Sequence, residues 1–161
     1  MPYDSRIHHR RSIRLPGYDY TTAGYYCITI CTDRRELILD SPAISAAVEA
    51  AWHSLAERFP GIGLDEFVIM PNHVHGILGL PPRAGQQVSL GNVVRAFKSI
   101  SAIAANRLLR RSGRPFWQRN YFERIIRSDR ELLATREYIR NNPLNWILDS
   151  ENPSAVAWRD A

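Results

Sequence analysis

Lysine is almost missing from this 161-residue chain: of 21 basic residues one, Lys98, is lysine and the rest are arginine. Cysteine is nearly as scarce, with Cys27 and Cys31 alone. If "YYCITIC" is a strand, four residues separate the two thiols by roughly 13 Å, too far to bridge, so both read as buried core residues of a reducing compartment and not as a metal site. No apolar run approaches the ~18 residues of a membrane-spanning helix. The opening "MPYDSRIHHRRSIRLPGYDY" lacks the apolar segment of a signal peptide. The expected setting is the cytoplasm, with no membrane partner. Internal repeats and low-complexity runs are also missing.

The length suits one domain, and the 45% hydrophobic content is enough to build a core. We expect a single domain over residues 1–161, with a core at about 20–149 and a basic arm at 1–19. The net charge of +5 is unevenly spread. Between Arg95 and Arg127 the basic residues are opposed by Glu123 alone, and the arm adds Arg6, Arg10, Arg11 and Arg14. Arginine offers a planar fork to phosphates and stacks on bases. An arginine-dominated stripe interleaved with Tyr, Trp and Phe points toward nucleic acid, whereas a more even one would read as a solvated face.

Periodicity then supplies the elements. "GYYCITICT" (24–32) alternates and reads as a strand. Ser41 caps a helix with Pro42 at its first position, and Pro60-Gly61 ends it. Strands follow over 64–70 and 73–80, joined by a Pro71-Asn72 turn. After the exposed loop "PPRAGQQ", a long helix runs from Ser89 with Val93, Val94, Phe97, Ile100, Ala104 and Leu108 on its apolar side and Gly113 at its end. Residues 119–127 form a last strand. Ser128 and Glu131 have capping-box spacing, so another helix starts there and stops before Pro143. The tail after Trp146 is short, polar and uninformative. The order β-α-β-β-α-β plus a C-terminal helix predicts an α+β, ferredoxin-like antiparallel sheet with helices packed on it.

Within that frame "MPNHVHGIL" (70–78) is unusual. On a strand, His73 and His75 share a face, and two converging imidazoles are a common start to a metal site, although a pair of half-buried histidines would look the same. In "EYIRNNP", Tyr138 and Asn142 lie one helical turn apart. A phenol can form a phosphoester and an amide oxygen can bind a metal; equally, Tyr138 could anchor the helix core and Asn142 could cap its end. Phe116, Trp117 and Tyr121 are candidates for stacking on unpaired bases or for core packing. Glu123 could join a metal shell or lie solvated at a strand end.

Taken in order and spacing, "MPNHVHGIL", "FKS", "FWQRNYFERIIR" and "EYIRNNPLNW" resemble the HUH single-tyrosine transposases, most of all the REP-associated tyrosine transposases, which are related to small insertion-sequence transposases. The opening "RRSIRLPGYDYTTAGYYCITICTDRR" is similar to that group's usual start, and the likeness covers about residues 10–149. It implies a metal-dependent endonuclease and strand transferase for DNA recombination and transposition. Single-stranded DNA would be cut to leave a 5′-phosphotyrosine and a free 3′-OH. Carried over residue by residue, it makes Tyr138 the nucleophile and His73, His75 and Asn142 the ligands of Mg²⁺ or Mn²⁺. The expected DNA contacts are Arg95, Lys98, Arg119, Tyr121, Arg127, Arg11 and Arg14. Partners would be single-stranded DNA, palindromic REP-type hairpins above all, at the nucleoid; the oligomeric state is left between monomer and homodimer.

One departure is Arg124, which stands where that group often has histidine after the glutamate. Two rival readings are a histidine-triad nucleotide hydrolase and a domesticated hairpin-binding protein that has lost cleavage. The first lacks its third histidine, because Ile77 stands there. Against the second, His73, His75 and Tyr138 are all present.

Overall fold

The computed structural model describes residues 14–82, 88–149 and 152. The elements are β1 (Gly24–Cys31), α1 (Pro42–Arg58), β2 (Gly63–Met70), β3 (His73–Leu80), α2 (Leu90–Leu108), β4 (Phe122–Ile126) and α3 (Asp129–Asn141), followed by a 3-10 segment over Asn142–Leu148. All strand pairs are antiparallel, in the order β2-β3-β1-β4. This is the ferredoxin-like α+β sheet expected from the element order.

Strand alternation sends two sets of side chains to opposite faces. From β1 and β3, Tyr26, Ile28, Ile30, Val74 and Leu78 face α1 and α2 and join Val48, Trp52, Leu55, Val93 and Phe97 in the main core. The ring of Trp52 stacks on Phe67 at 4.3 Å. It lies so close to β3 that a Cβ on Gly76 would come within 2.6 Å of it, so the glycine that follows the two histidines is there to seat an indole. On the other face Ile77, Ile126, Leu132 and Ile139 make a smaller core under α3.

That second core is thin. α3 buries Leu132, Thr135 and Ile139, and two aliphatic side chains contribute about 3–6 kcal/mol. Polar bonds complete its docking. Ser128 Oγ accepts from the Glu131 backbone N–H at 3.1 Å, and the Glu131 carboxylate accepts from the Arg127 N–H at 2.8 Å. Arg136 donates twice to Asp65, at 2.9 and 2.6 Å, and Arg140 donates to Glu66 at 2.7 Å. Adjacent residues of a regular strand point to opposite faces, yet Asp65 and Glu66 both reach α3. The register shift between Leu64 and Phe67 inserts the extra residue that allows it.

Several expectations need correction. α2 ends at Leu108, and the left-handed residue just beyond it is Arg110 (φ 53°); Gly113 (φ 79°) lies in the next turn. Leu108 is exposed, because the buried side of the last turns passes to Ser101, Ala105 and Asn106. The last strand starts at Phe122. Phe116 and Trp117 are buried in the main core, with Trp117 Nε1 donating to Ser101 Oγ at 2.9 Å, so neither ring is available to a base.

Candidate functional site

The β2–β3 hairpin places the histidines. Its Pro71-Asn72 turn is tied to the end of β1, where Thr32 donates to the Asn72 carbonyl through both its backbone N–H (2.9 Å) and its hydroxyl (3.0 Å). Asn72 Oδ1 lies 2.8 Å from His73 Nδ1. An amide oxygen can only accept, so Nδ1 carries the proton and the Nε2 lone pair of His73 is bare. His75 Nδ1 is held by the Thr29 hydroxyl at 2.8 Å, from the facing position of β1. These bonds turn the two Nε2 atoms toward each other, 3.0 Å apart. Two lone pairs at that distance repel, so a proton or a cation must sit between them.

His73 is fully buried and His75 nearly so. Burial pushes both imidazoles down to about 4; the Arg35 charge adds to the effect at His73 and the His73 charge at His75, while Asp149 opposes it at His75. Both rings are therefore neutral at pH 7, the form that binds metals. Asp149, just past the 3-10 segment, brings its Oδ2 to 3.5 Å from His73 Nε2. One ligand atom from each of His73, His75 and Asp149 lies within 4.8 Å of the others. Two imidazole nitrogens and a carboxylate oxygen suit a divalent cation.

Asp149 is the residue that the sequence alone did not reveal. It belongs to the tail taken as uninformative, and no local spacing marks it. The turn Asn142–Leu148 carries the chain back under β2 and β3, where Trp146 lies 5.9 Å from the His73 ring. Asn142, the expected third ligand, caps α3 and is buried with its Nδ2 donor lacking a hydrogen-bond partner.

Tyr138 projects from α3 into a cleft of about 480 Å³ that His75, Thr29, Cys27, Arg124 and Thr135 also line. Its ring lies 5.7 Å from that of His75, and it is 56% exposed. Tyr138 is therefore no core anchor; an exposed phenol stands beside the histidine pair. Glu123 faces Ile28 across β1–β4 and so points to the α1/α2 side, away from the histidines. Its two carboxylate oxygens are buried beside Tyr20 and Tyr121, whose phenols are raised by burial and by that charge. It is neither in the metal shell nor solvated.

The expected DNA contacts fall into three groups. Arg95, Arg119 and Arg127 are exposed. Arg14 donates to the Tyr121 hydroxyl at 3.2 Å and covers its ring, so this pair is engaged with itself. The Lys98 ammonium is half-buried and donates to the carbonyls of Gln118 (2.6 Å) and Arg119 (3.0 Å), tying α2 to the chain before β4. Arg11 lies outside the described residues. The two thiols are free, as their separation on β1 required. Among the described residues no helix is long and apolar enough to cross a membrane.

Comparison with known proteins bears on the family and the fold. The family model described as "Transposase IS200 like" matches residues 20–142. A protein of Haemophilus influenzae with no characterised function is 37% identical, over 91% of this chain and 95% of its own length. Among solved structures, a REP-associated tyrosine transposase bound to a REP hairpin superposes with a TM-score of 0.64 at 20% identity, covering 83% of this chain and 74% of that one. A candidate transposase of Deinococcus radiodurans superposes with a TM-score of 0.52 at 22% identity, covering 80% and 95%.

Proposed function

The chain belongs to the IS200-like transposase family, and we propose that it cleaves and rejoins single-stranded DNA through a covalent 5′-phosphotyrosine at Tyr138. The observation that carries this reading is the convergence of two imidazole Nε2 atoms and a carboxylate, one ring away from an exposed phenol. His73, His75 and Asp149 would hold a divalent metal, Mg²⁺ or Mn²⁺, and Asn142, one helical turn from Tyr138, is the further candidate ligand. When bound, that ion supplies Lewis-acid stabilisation of charge on the phosphate oxygens.

The Tyr138 oxygen forms a bond to phosphorus as the bond to the 3′-oxygen breaks. The phenolic proton passes to solvent, and the departing 3′-oxygen takes one up to become a hydroxyl. The tyrosyl ester keeps the energy of the phosphodiester, so a 3′-OH from another end reverses the step and joins strands. α3 sets the geometry by holding Tyr138 over the cleft.

The DNA partner is a single strand folded into a palindromic hairpin. The exposed arginines Arg95, Arg119 and Arg127 carry phosphate contacts, with Arg14 and Tyr121 beside them, and DNA as the partner puts the protein at the nucleoid. Such binding weakens steeply with salt.

The test is incubation of labelled single-stranded hairpin DNA with the protein and Mn²⁺, followed by a denaturing gel. A covalent protein–DNA band is expected with the wild type and none with Tyr138→Phe, which loses only a hydroxyl and should bind and fold as before. A band that persists in Tyr138→Phe would move the nucleophile elsewhere, and cleavage undiminished in EDTA would refute the metal role. Tight hairpin binding without any band would leave the protein a hairpin-binding relative that has lost cleavage.

A further inference from the structure

On β4, the wall of the Tyr138 cleft farthest from the histidines carries Arg124, the one cation among the described residues lining it. The sheet register fixes its place. Arg124 faces Cys27 on β1, and Cys27 faces Ile77, two residues along β3 from His75. With strands about 4.8 Å apart, the β4 backbone lies roughly 10 Å across the sheet from β3. Tyr138 comes down from α3 between the two walls.

The Arg124 guanidinium is uncompensated. Its one hydrogen bond goes to the Thr135 hydroxyl at 2.8 Å, and that hydroxyl gives its own proton to the Glu131 carbonyl at 2.7 Å. No carboxylate among the described residues pairs with it. Arginines elsewhere in the fold differ: Arg136 is neutralised by Asp65, Arg140 by Glu66 and Arg111 by Glu36. Two carboxylates also line the cleft, but Glu131 accepts from the Arg127 backbone N–H and Glu123 sits beside Tyr20 and Tyr121, so neither is paired with Arg124. The Cys27 thiol on the cleft floor is pushed up by burial and stays neutral. A permanently charged fork with most of its five donors unused, in a cleft that holds a nucleophile, is suited to an anion with paired oxygens.

We infer that Arg124 binds a non-bridging oxygen of the phosphodiester that enters this cleft, holding it from the β4 side while Tyr138 approaches. The inference deepens the cleavage reading and rests on it for the identity of the phosphate. Thr135 orients the guanidinium from α3, three residues before Tyr138, so one helix sets both the nucleophile and the clamp. As the Tyr138 oxygen attacks, charge grows on the non-bridging oxygens, where a donor already in place stabilises it without reorganisation.

The test uses the full chain carrying Tyr138→Phe, labelled with ¹⁵N at arginine and titrated with the dinucleotide TpT, whose single phosphodiester is the probe. The Arg124 Nε–H resonance should move on addition of TpT and stay put with its uncharged methylphosphonate analogue. Arg124→Gln in the same background should weaken TpT binding about tenfold, the loss of one charge-assisted hydrogen bond. In protein with Tyr138 intact, Arg124→Gln should slow adduct formation on a random-sequence single-stranded DNA pool on the order of 100-fold, the scale of removing one preorganised donor. Arg124→Lys, which keeps the charge and the fold, should recover part of that rate. An Arg124 resonance indifferent to TpT, or an Arg124→Gln protein forming adduct at the wild-type rate, would overturn the assignment. A wild type that makes no adduct while TpT still moves Arg124 would sink the cleavage reading and uphold the phosphate site.

Discussion

Acidifying the metal-free protein from pH 7 to pH 5 should destabilise it through His73 and His75. Burial lowers both imidazoles to about 4, against 6.5 for an ordinary histidine. Between those values the unfolded chain binds protons that the folded chain excludes. The stability is therefore fully present above pH 6.5 and is lost as pH falls toward 4. At pH 5 an unfolded imidazole is almost wholly protonated and a folded one almost wholly neutral, which costs about 2 kcal/mol per histidine; at pH 7 the cost is close to zero. The pair together loses about 4 kcal/mol, which lowers the Tm of a domain this size by roughly 10 °C.

The assay is scanning calorimetry in EDTA across that range, for the wild type and for His73→Gln/His75→Gln. The double variant keeps hydrogen-bonding side chains but has nothing to titrate there, so its curve should be flatter by that amount. Added Mn²⁺ should raise the wild-type Tm more at pH 7 than at pH 5, because the ion and the proton compete for the same lone pairs. If wild type and double variant lose the same Tm between pH 7 and pH 5, the buried neutral pair is not what the protein contains.

The third metal ligand can be settled by calorimetric Mn²⁺ titration: Asp149→Asn should weaken binding more than tenfold, while Asn142→Leu should lower the Tm and change metal affinity by less. The opposite ranking would return the ligand role to Asn142. Asp65→Asn with Glu66→Gln removes the anchors of Arg136 and Arg140; amide exchange should rise over residues 129–141 and stay unchanged in β1 and β3, with slower adduct formation. Unchanged exchange in α3 would mean that the apolar contacts of Leu132 and Ile139 hold the helix unaided.

The sequence by itself determined the element order, the cap at Ser128, and the common face of His73 and His75. Each of these is local: helical or strand periodicity brings residues within a few positions onto one surface, and a capping hydroxyl acts on an N–H three residues away. Tyr138 was singled out by the resemblance of its motif to the single-tyrosine transposases, since spacing alone left it between helix anchor and nucleophile, and only the packing of α3 shows the phenol exposed beside His75. What joins distant parts of the chain was not legible. Asp149 reaches His73 because the 3-10 segment folds back under the sheet. Glu123 turns away from the histidines because the register sets it opposite Ile28. Lys98, which in sequence reads as a phosphate contact, is drawn to the carbonyls of Gln118 and Arg119. Asp65 and Glu66 reach one helix together through a strand irregularity that alternation cannot anticipate. Such contacts depend on chain return and strand register, which the tertiary packing of the whole sheet selects and no short window of residues encodes.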